Sequence, residues 1–223
     1  MTGQAQPHQH QHQGPDTAAD TATATATDAL LGDAAAGTAD AAWERKIAQA
    51  WEGFDGEEPE AFRARIRALA AERPAGDADA LFELAAAHDS TGEPQLAEPL
   101  YRRALEAGLT GLRRRRALIQ LASTLRNLGR PREGAALLEA ERASGVSDDL
   151  DDALVCVLAL NLTHLGRARE GVGLLVEAMA PHLPRYNRSM AAYGAEMAER
   201  ARAAAAPRPA PGPMVAATDD PGW

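Results

Sequence analysis

Residues Leu118–Arg142 read LIQLASTLRNLGRPREGAALLEAER, and the fold follows from this stretch. Leu118, Leu121, Ala122 and Leu125 fall at i, i+3, i+4 and i+7, which makes one apolar face of an α-helix. Gly129 comes next, a residue that enters the left-handed conformation without a Cβ penalty and so closes a helix C-terminus. Pro131 sits two residues later, where a first-turn proline lacks only a donor that the helix would not use. The unit is a helical hairpin. Its pattern returns without gaps in LFELAAAHDSTGEPQLAEPLYRRAL from Leu81 and in VCVLALNLTHLGRAREGVGLLVEAM from Val155, an offset of 37 residues each time (118 − 81 and 155 − 118). Leu84-Ala85, Leu121-Ala122 and Leu158-Ala159 coincide, as do Gly92, Gly129 and Gly166. So do the small residues Ala97, Gly134 and Gly171, and the large apolar Tyr101, Leu138 and Leu175. A single hairpin cannot bury its apolar face, so such units stack.

Leu-Ala, a large residue, Gly, a small residue, then an aromatic or leucine at these spacings resembles the tetratricopeptide repeat. That motif is about 34 residues long, and here three further residues lie in the inter-repeat turns (Gly108–Leu112 and Ser144–Leu150). Leu81, Leu118 and Val155 stand where the motif carries an early Trp, and Leu109 and Val146 where it carries a closing Pro. The wording of the segments resembles the bacterial group 5 tetratricopeptide repeat proteins over roughly residues 58–200. The fold expected is all-α: a tetratricopeptide-like right-handed α-solenoid of helical hairpins with a C-terminal capping helix. The repeat domain is expected over 41–203, with hairpins at about 41–73, 78–108, 115–144 and 152–181 and a cap at 185–203. Ile47, Trp51 and Phe54, then Phe62, Ile66 and Leu69, mark the faces of the degenerate first hairpin, and Met190, Tyr193 and Met197 that of the cap.

Residues 1–40 hold five Asp, no Lys or Arg, a PHQHQHQ tract and a TATATAT run, and 204–223 are rich in Pro and small residues. Neither end has the apolar side chains that would offset the entropy of ordering it, so both are expected to be disordered tails. The net charge is −9, of which the N-terminal tail carries five and the C-terminal tail one, leaving about −3 on the repeats. An acidic chain has no footprint for nucleic acid and is repelled by anionic lipid. MTGQAQPHQH has no secretory pattern, and the longest apolar stretch, around Ala153–Leu162, is about half a bilayer span. The one cysteine, Cys156, rules out an internal disulfide. A cytoplasmic protein is expected, and 22 Arg against the single Lys46 suggests a high-GC bacterial genome.

The resemblance implies that the first helix of each hairpin lines a concave groove, and the 37-residue offset then aligns side chains in rows. These are Asp79, Arg116 and Ala153; Phe82, Ile119 and Cys156; Ala86, Ser123 and Leu160; Asp89, Arg126 and Thr163; and Ser90, Asn127 and His164. Candidate partner-binding residues are accordingly Phe82, Asp89, Ser90, Arg116, Ile119, Ser123, Arg126, Asn127, Leu160 and His164. At the middle repeat a guanidinium fork (Arg126) beside an amide (Asn127) suits a peptide backbone or a carboxylate. The competing reading pairs Arg126 with Asp89 as a brace between repeats.

A protein- or peptide-binding scaffold or adaptor is the function expected, with no cofactor and no catalytic or metal site. The alternative is a peptide or small-metabolite sensor that acts through a separate effector. Capture of a chaperone's C-terminal carboxylate does not fit, because Phe82 and Ala86 stand where that clamp needs Lys and Asn. Cys156 and His164 are about 12 Å apart along one helix, too far for a nucleophile–base pair. The arginines 113–116 spread over most of a helical turn, which favours a solvated helix start with one or two acidic partners over a phosphate site. His8, His10 and His12 read as low-complexity tail, and His88 as a partly buried inter-helix residue.

Overall fold

The computed structural model describes residues 38–205. Of the ends read above as disordered tails, 1–37 (with the histidine tract) and 206–223 lie outside the described residues, whereas 38–40 and 204–205 are helical. Every regular element among those residues is helical. The chain divides between Asp55 and Gly56 into two compact units. The first carries helix α1 (38–52), whose Trp43, Ile47 and Ala50 form a buried face, while Trp51 stacks at a tilt on Phe54 with centroids 5.7 Å apart.

The second unit holds the repeats. Its helices are α2 (Pro59–Ala70), α3 (Ala78–Ser90), α4 (Pro94–Glu106), α5 (Gly111–Asn127), α6 (Pro131–Ala143), α7 (Asp151–His164), α8 (Ala168–Met179) and α9 (Asn187–Ala205). Three hairpins result, α3–α4, α5–α6 and α7–α8, with α2 packed on α3 and α9 on α8. Each hairpin turns at the repeat glycine, with φ of 82°, 77° and 74° at Gly92, Gly129 and Gly166. The amides just after these glycines (Glu93, Arg130 and Arg167) reach back to the carbonyls of His88, Leu125 and Leu162 at 2.8–2.9 Å. This bond satisfies carbonyls that the helix end would otherwise leave orphaned.

Consecutive hairpins join through the large residue of the second helix. Tyr101 is buried with Phe82 and Ala85 of its own hairpin and with Leu121 and Leu125 of the next. Leu138 repeats the arrangement with Ile119, Leu154 and Leu158. The small residue keeps the two helices of a hairpin close: a Cβ on Gly134 would lie 2.6 Å from the Ala122 carbonyl oxygen and 2.5 Å from Asn161 Oδ1. Asn161 is itself buried and donates to the carbonyls of Val157 (2.9 Å) and Ala122 (3.4 Å), linking α7 to α5.

The last helix departs from the expected packing. Met190, Tyr193 and Met197 were the expected face, yet Tyr193 and Met197 are exposed, and Gly194 and Ala198 are buried instead. A Cβ on Gly194 would meet the Glu177 amide at 2.5 Å, and one on Gly173 the Ala198 amide at 2.6 Å. Two facing glycines let the helix axes approach more closely than any methionine stripe allows, and that contact sets the orientation of α9.

Candidate binding site

The aligned rows do not form a uniform surface. In the first repeat Phe82 and Ala86 are sealed, with Phe82 between the Tyr101 ring (6.2 Å) and the Arg116 guanidinium, 5.1 Å above its face. In the second, Ile119 is buried and Ser123 half-buried. In the third, Cys156 and Leu160 are both exposed. Phe82 and Ile119 are therefore corrected from partner contacts to packing residues, because the following hairpin covers them. Arg116 stays half-exposed but is occupied as a cation–π lid on Phe82, an interaction worth about 0.5–2 kcal/mol.

Asp89 does not brace the repeats through Arg126. Its carboxylate accepts from the Tyr101 hydroxyl at 3.4 Å, and burial pushes its pKa above the usual carboxylate range against the lowering effect of hydrogen bonds from Thr124 and Tyr101. Burial, and then the neighbouring Asp89 carboxylate, push the Tyr101 hydroxyl up as well. Arg126 instead donates to Asn127 Oδ1 at 3.1 Å and has no carboxylate within 4.0 Å among the described residues. Thr163 and His164 are exposed at the matching positions of the next repeat, and His164 Nδ1 lies 3.0 Å from the Leu160 carbonyl. Ser90 is exposed at the same position of the first repeat. The surface left accessible is thus Ser123, Arg126 and Asn127 on α5 with Leu160, Thr163 and His164 on α7: one uncompensated cation, an amide, a hydroxyl pair and a leucine. Such a set can hold a carboxylate or backbone carbonyl next to an apolar side chain.

The arginine run at the start of α5 behaves quite differently. Arg113 reaches Glu83 (3.0 Å) and Asp79 (3.5 Å) on α3, and Arg114 reaches Glu141 on α6 at 3.0 Å. Arg115 is buried and binds the Val146 carbonyl (3.0 Å), Asp148 (3.2 Å) and Asp151 (2.5 Å). Hydrogen bonds from Ser147, then from the Asp148 amide and Arg115, keep the Asp151 carboxyl below its ordinary range. Instead of a solvated start with one or two partners, three successive side chains tie α5 to α3, to α6 and to the start of α7. Those carboxylates also offset the unfavourable placing of cations at a helix N-terminus. Their partners lie 27 to 36 residues away in sequence, so no local pattern marks them. His88 is half-buried, its Nδ1 2.7 Å from Glu93.

This succession of hairpins, with one glycine turn and one small-residue contact repeated at a fixed register, agrees with a family model described as "Tetratrico peptide repeat", the group 5 form, which matches residues 78–197. The chain belongs to the tetratricopeptide repeat family. The match begins at the first residue of α3 and runs into α9. No curated protein and no solved structure matches the chain. Tetratricopeptide repeats form a scaffold family that generally mediates protein–protein interactions. Among the described residues no helix is long and apolar enough to cross a membrane, and no group of three or more His, Cys, Asp or Glu could hold a metal.

Proposed function

We propose that this tetratricopeptide repeat protein is a scaffold or adaptor that holds a protein or peptide segment on the shared face of α5 and α7. The observation that carries the reading is Arg126. Three of the four arginines at the start of the same helix are paired with carboxylates, whereas Arg126 is left facing outward among the described residues with only Asn127 as its partner. A guanidinium without a counter-ion, held beside the exposed Asn127 amide and near an exposed leucine, suits a ligand that brings its own carboxylate or carbonyl and an apolar side chain. The exposed Cys156 thiol is compatible with a reducing, cytoplasmic setting.

Affinity capture with the full chain, followed by titration of the recovered partner, tests this. A charge-assisted hydrogen bond contributes roughly 1.5–3 kcal/mol, so Arg126→Ala should weaken binding about ten- to a hundredfold. Because Arg126 braces nothing, the variant should melt within about 0.5 kcal/mol of wild type. Arg126→Ala and Asn127→Ala that both bind with wild-type affinity would remove the site from this face.

A further inference from the structure

The 37-residue register makes it possible to ask what covers each hairpin on its forward side. Tyr101 and Leu138 are sealed because α5 and α7 lie over them, but Leu175, the third member of that series, is 37% exposed. The forward side of α7 tells the same story, for Cys156 is exposed where Phe82 and Ile119 are buried. The reason lies in α9. It packs through Gly194 and Ala198 on the Gly173–Glu177 face of α8, and its Arg202 reaches back to the buried Glu170 at 3.0 Å. The direction in which α5 and α7 continue the stack is left uncovered.

That uncovered end is unusually apolar for a terminus. Val172 (49%), Leu175 and Met179 (56%) form one stripe on α8, with the exposed Cys156 at the forward position of α7. The matching triplets each carry one ion-paired charge, Glu98 beside Tyr101 and Leu105 in α4 and Arg142 beside Ala135 and Leu138 in α6, whereas the α8 triplet carries none. The last repeat thus becomes more apolar where a repeat array needs a polar outer face to stay soluble. We infer that this end is a docking surface for a second copy of the chain, placed tail to tail.

Two observations select a second copy in this orientation. A head-to-tail contact would need the opposite end of the stack open, but α2 already packs on α3 there. The face is also self-complementary under a two-fold axis. Asp152, on α7 at the Met179 end, lies 2.8 Å from His182, whereas Arg169, one turn before Val172 at the other end, is exposed and has no carboxylate within 4.0 Å among the described residues. A two-fold axis lying in the plane of the interface, perpendicular to α7 and α8, turns the two faces towards each other, reverses the helices and brings the Arg169 end of each copy to the Asp152 end of the other. In the preceding repeat the residue matching Asp152 is Arg115, which clasps the start of the next hairpin through Asp148 and Asp151.

Sedimentation velocity of the full chain over its soluble concentration range tests the inference. Wild type should convert from the 23.5 kDa monomer to a dimer as concentration rises. Leu175→Glu and Val172→Glu, both at exposed sites, should abolish the dimer with an unchanged far-ultraviolet circular dichroism spectrum, while Tyr193→Glu on α9 should leave it intact. Asp152→Arg should weaken the dimer, and adding Arg169→Asp should restore it. A chain that stays monomeric throughout, a dimer that survives Leu175→Glu, or a charge exchange that restores nothing would each overturn the inference. None of Val172, Leu175 and Met179 belongs to the Arg126 face, so this test and that of the partner site fail separately.

Discussion

Leu138 and Leu175 occupy one register position in successive repeats, yet the first is sealed at a joint and the second lies open at the end of the stack. The residues are identical, and so are the glycine turns before them. What differs is the helix that follows: α7 lies over Leu138, whereas α9 is drawn to the other side of α8 by the Gly173–Gly194 contact. A repeat register specifies what a position offers, and the neighbour decides whether it becomes core or surface. The same difference separates Phe82, clamped beneath Arg116, from the exposed Cys156.

The comparison can be broken most forcefully at the leucines. Leu138→Ala removes a fully buried side chain and should cost about 2–5 kcal/mol. Leu175→Ala, measured by chemical unfolding at a concentration low enough to keep the chain monomeric, should cost under about 1 kcal/mol. Equal costs would mean that Leu175 is covered too.

Arg115 and Asp152 sharpen it further, since they also share a register. Arg115→Met should cost about 1.5–3 kcal/mol, the usual loss for a hydrogen-bonded charge, because Asp148, Asp151 and the Val146 carbonyl lose their common partner. Both carboxylates are partly exposed and can rehydrate, which keeps the cost below that of a fully buried pair. Asp152→Met should change the stability of the monomer by no more than about 0.5 kcal/mol.

The glycines give a smaller contrast. Gly134→Ala forces a methyl group against a backbone oxygen at 2.6 Å and a buried amide at 2.5 Å, and overpacking of this kind costs roughly 1–3 kcal/mol. At Gly171 the nearest atom would be the Ala159 carbonyl oxygen at 3.0 Å, so a shift of a few tenths of an ångström absorbs the methyl group. Gly171→Ala should melt above Gly134→Ala, and the reverse order would show that α7 and α8 pack as closely as α5 and α6.

The repeats were legible because they restate one chemical pattern three times, so Leu121-Ala122, Gly129 and Leu138 are each confirmed by two counterparts. What the sequence hid falls into two kinds. The partners of Arg113, Arg114 and Arg115 lie on other helices, and a run of like charges looks solvated until those helices are in place. The orientation of α9 is carried by Gly194 and Ala198, which have little side chain to announce it, while Tyr193 and Met197 nearby imitate a core stripe. At the candidate site, the Arg126–Asn127 pair was visible as chemistry, but the burial of Phe82 and Ile119 depends on the next hairpin, which no single repeat records.

Thiol labelling tests the contrast between joint and end most directly. The native Cys156 should react with an aromatic disulfide reagent close to the rate of an unfolded thiol in dilute, monomeric protein. A cysteine placed at the matching joint position, Ile119→Cys in a Cys156→Ser background, should react only as fast as the joint opens, orders of magnitude more slowly. Equal protection of the two thiols in the monomer would show that the end of the stack is closed, and would contradict the account.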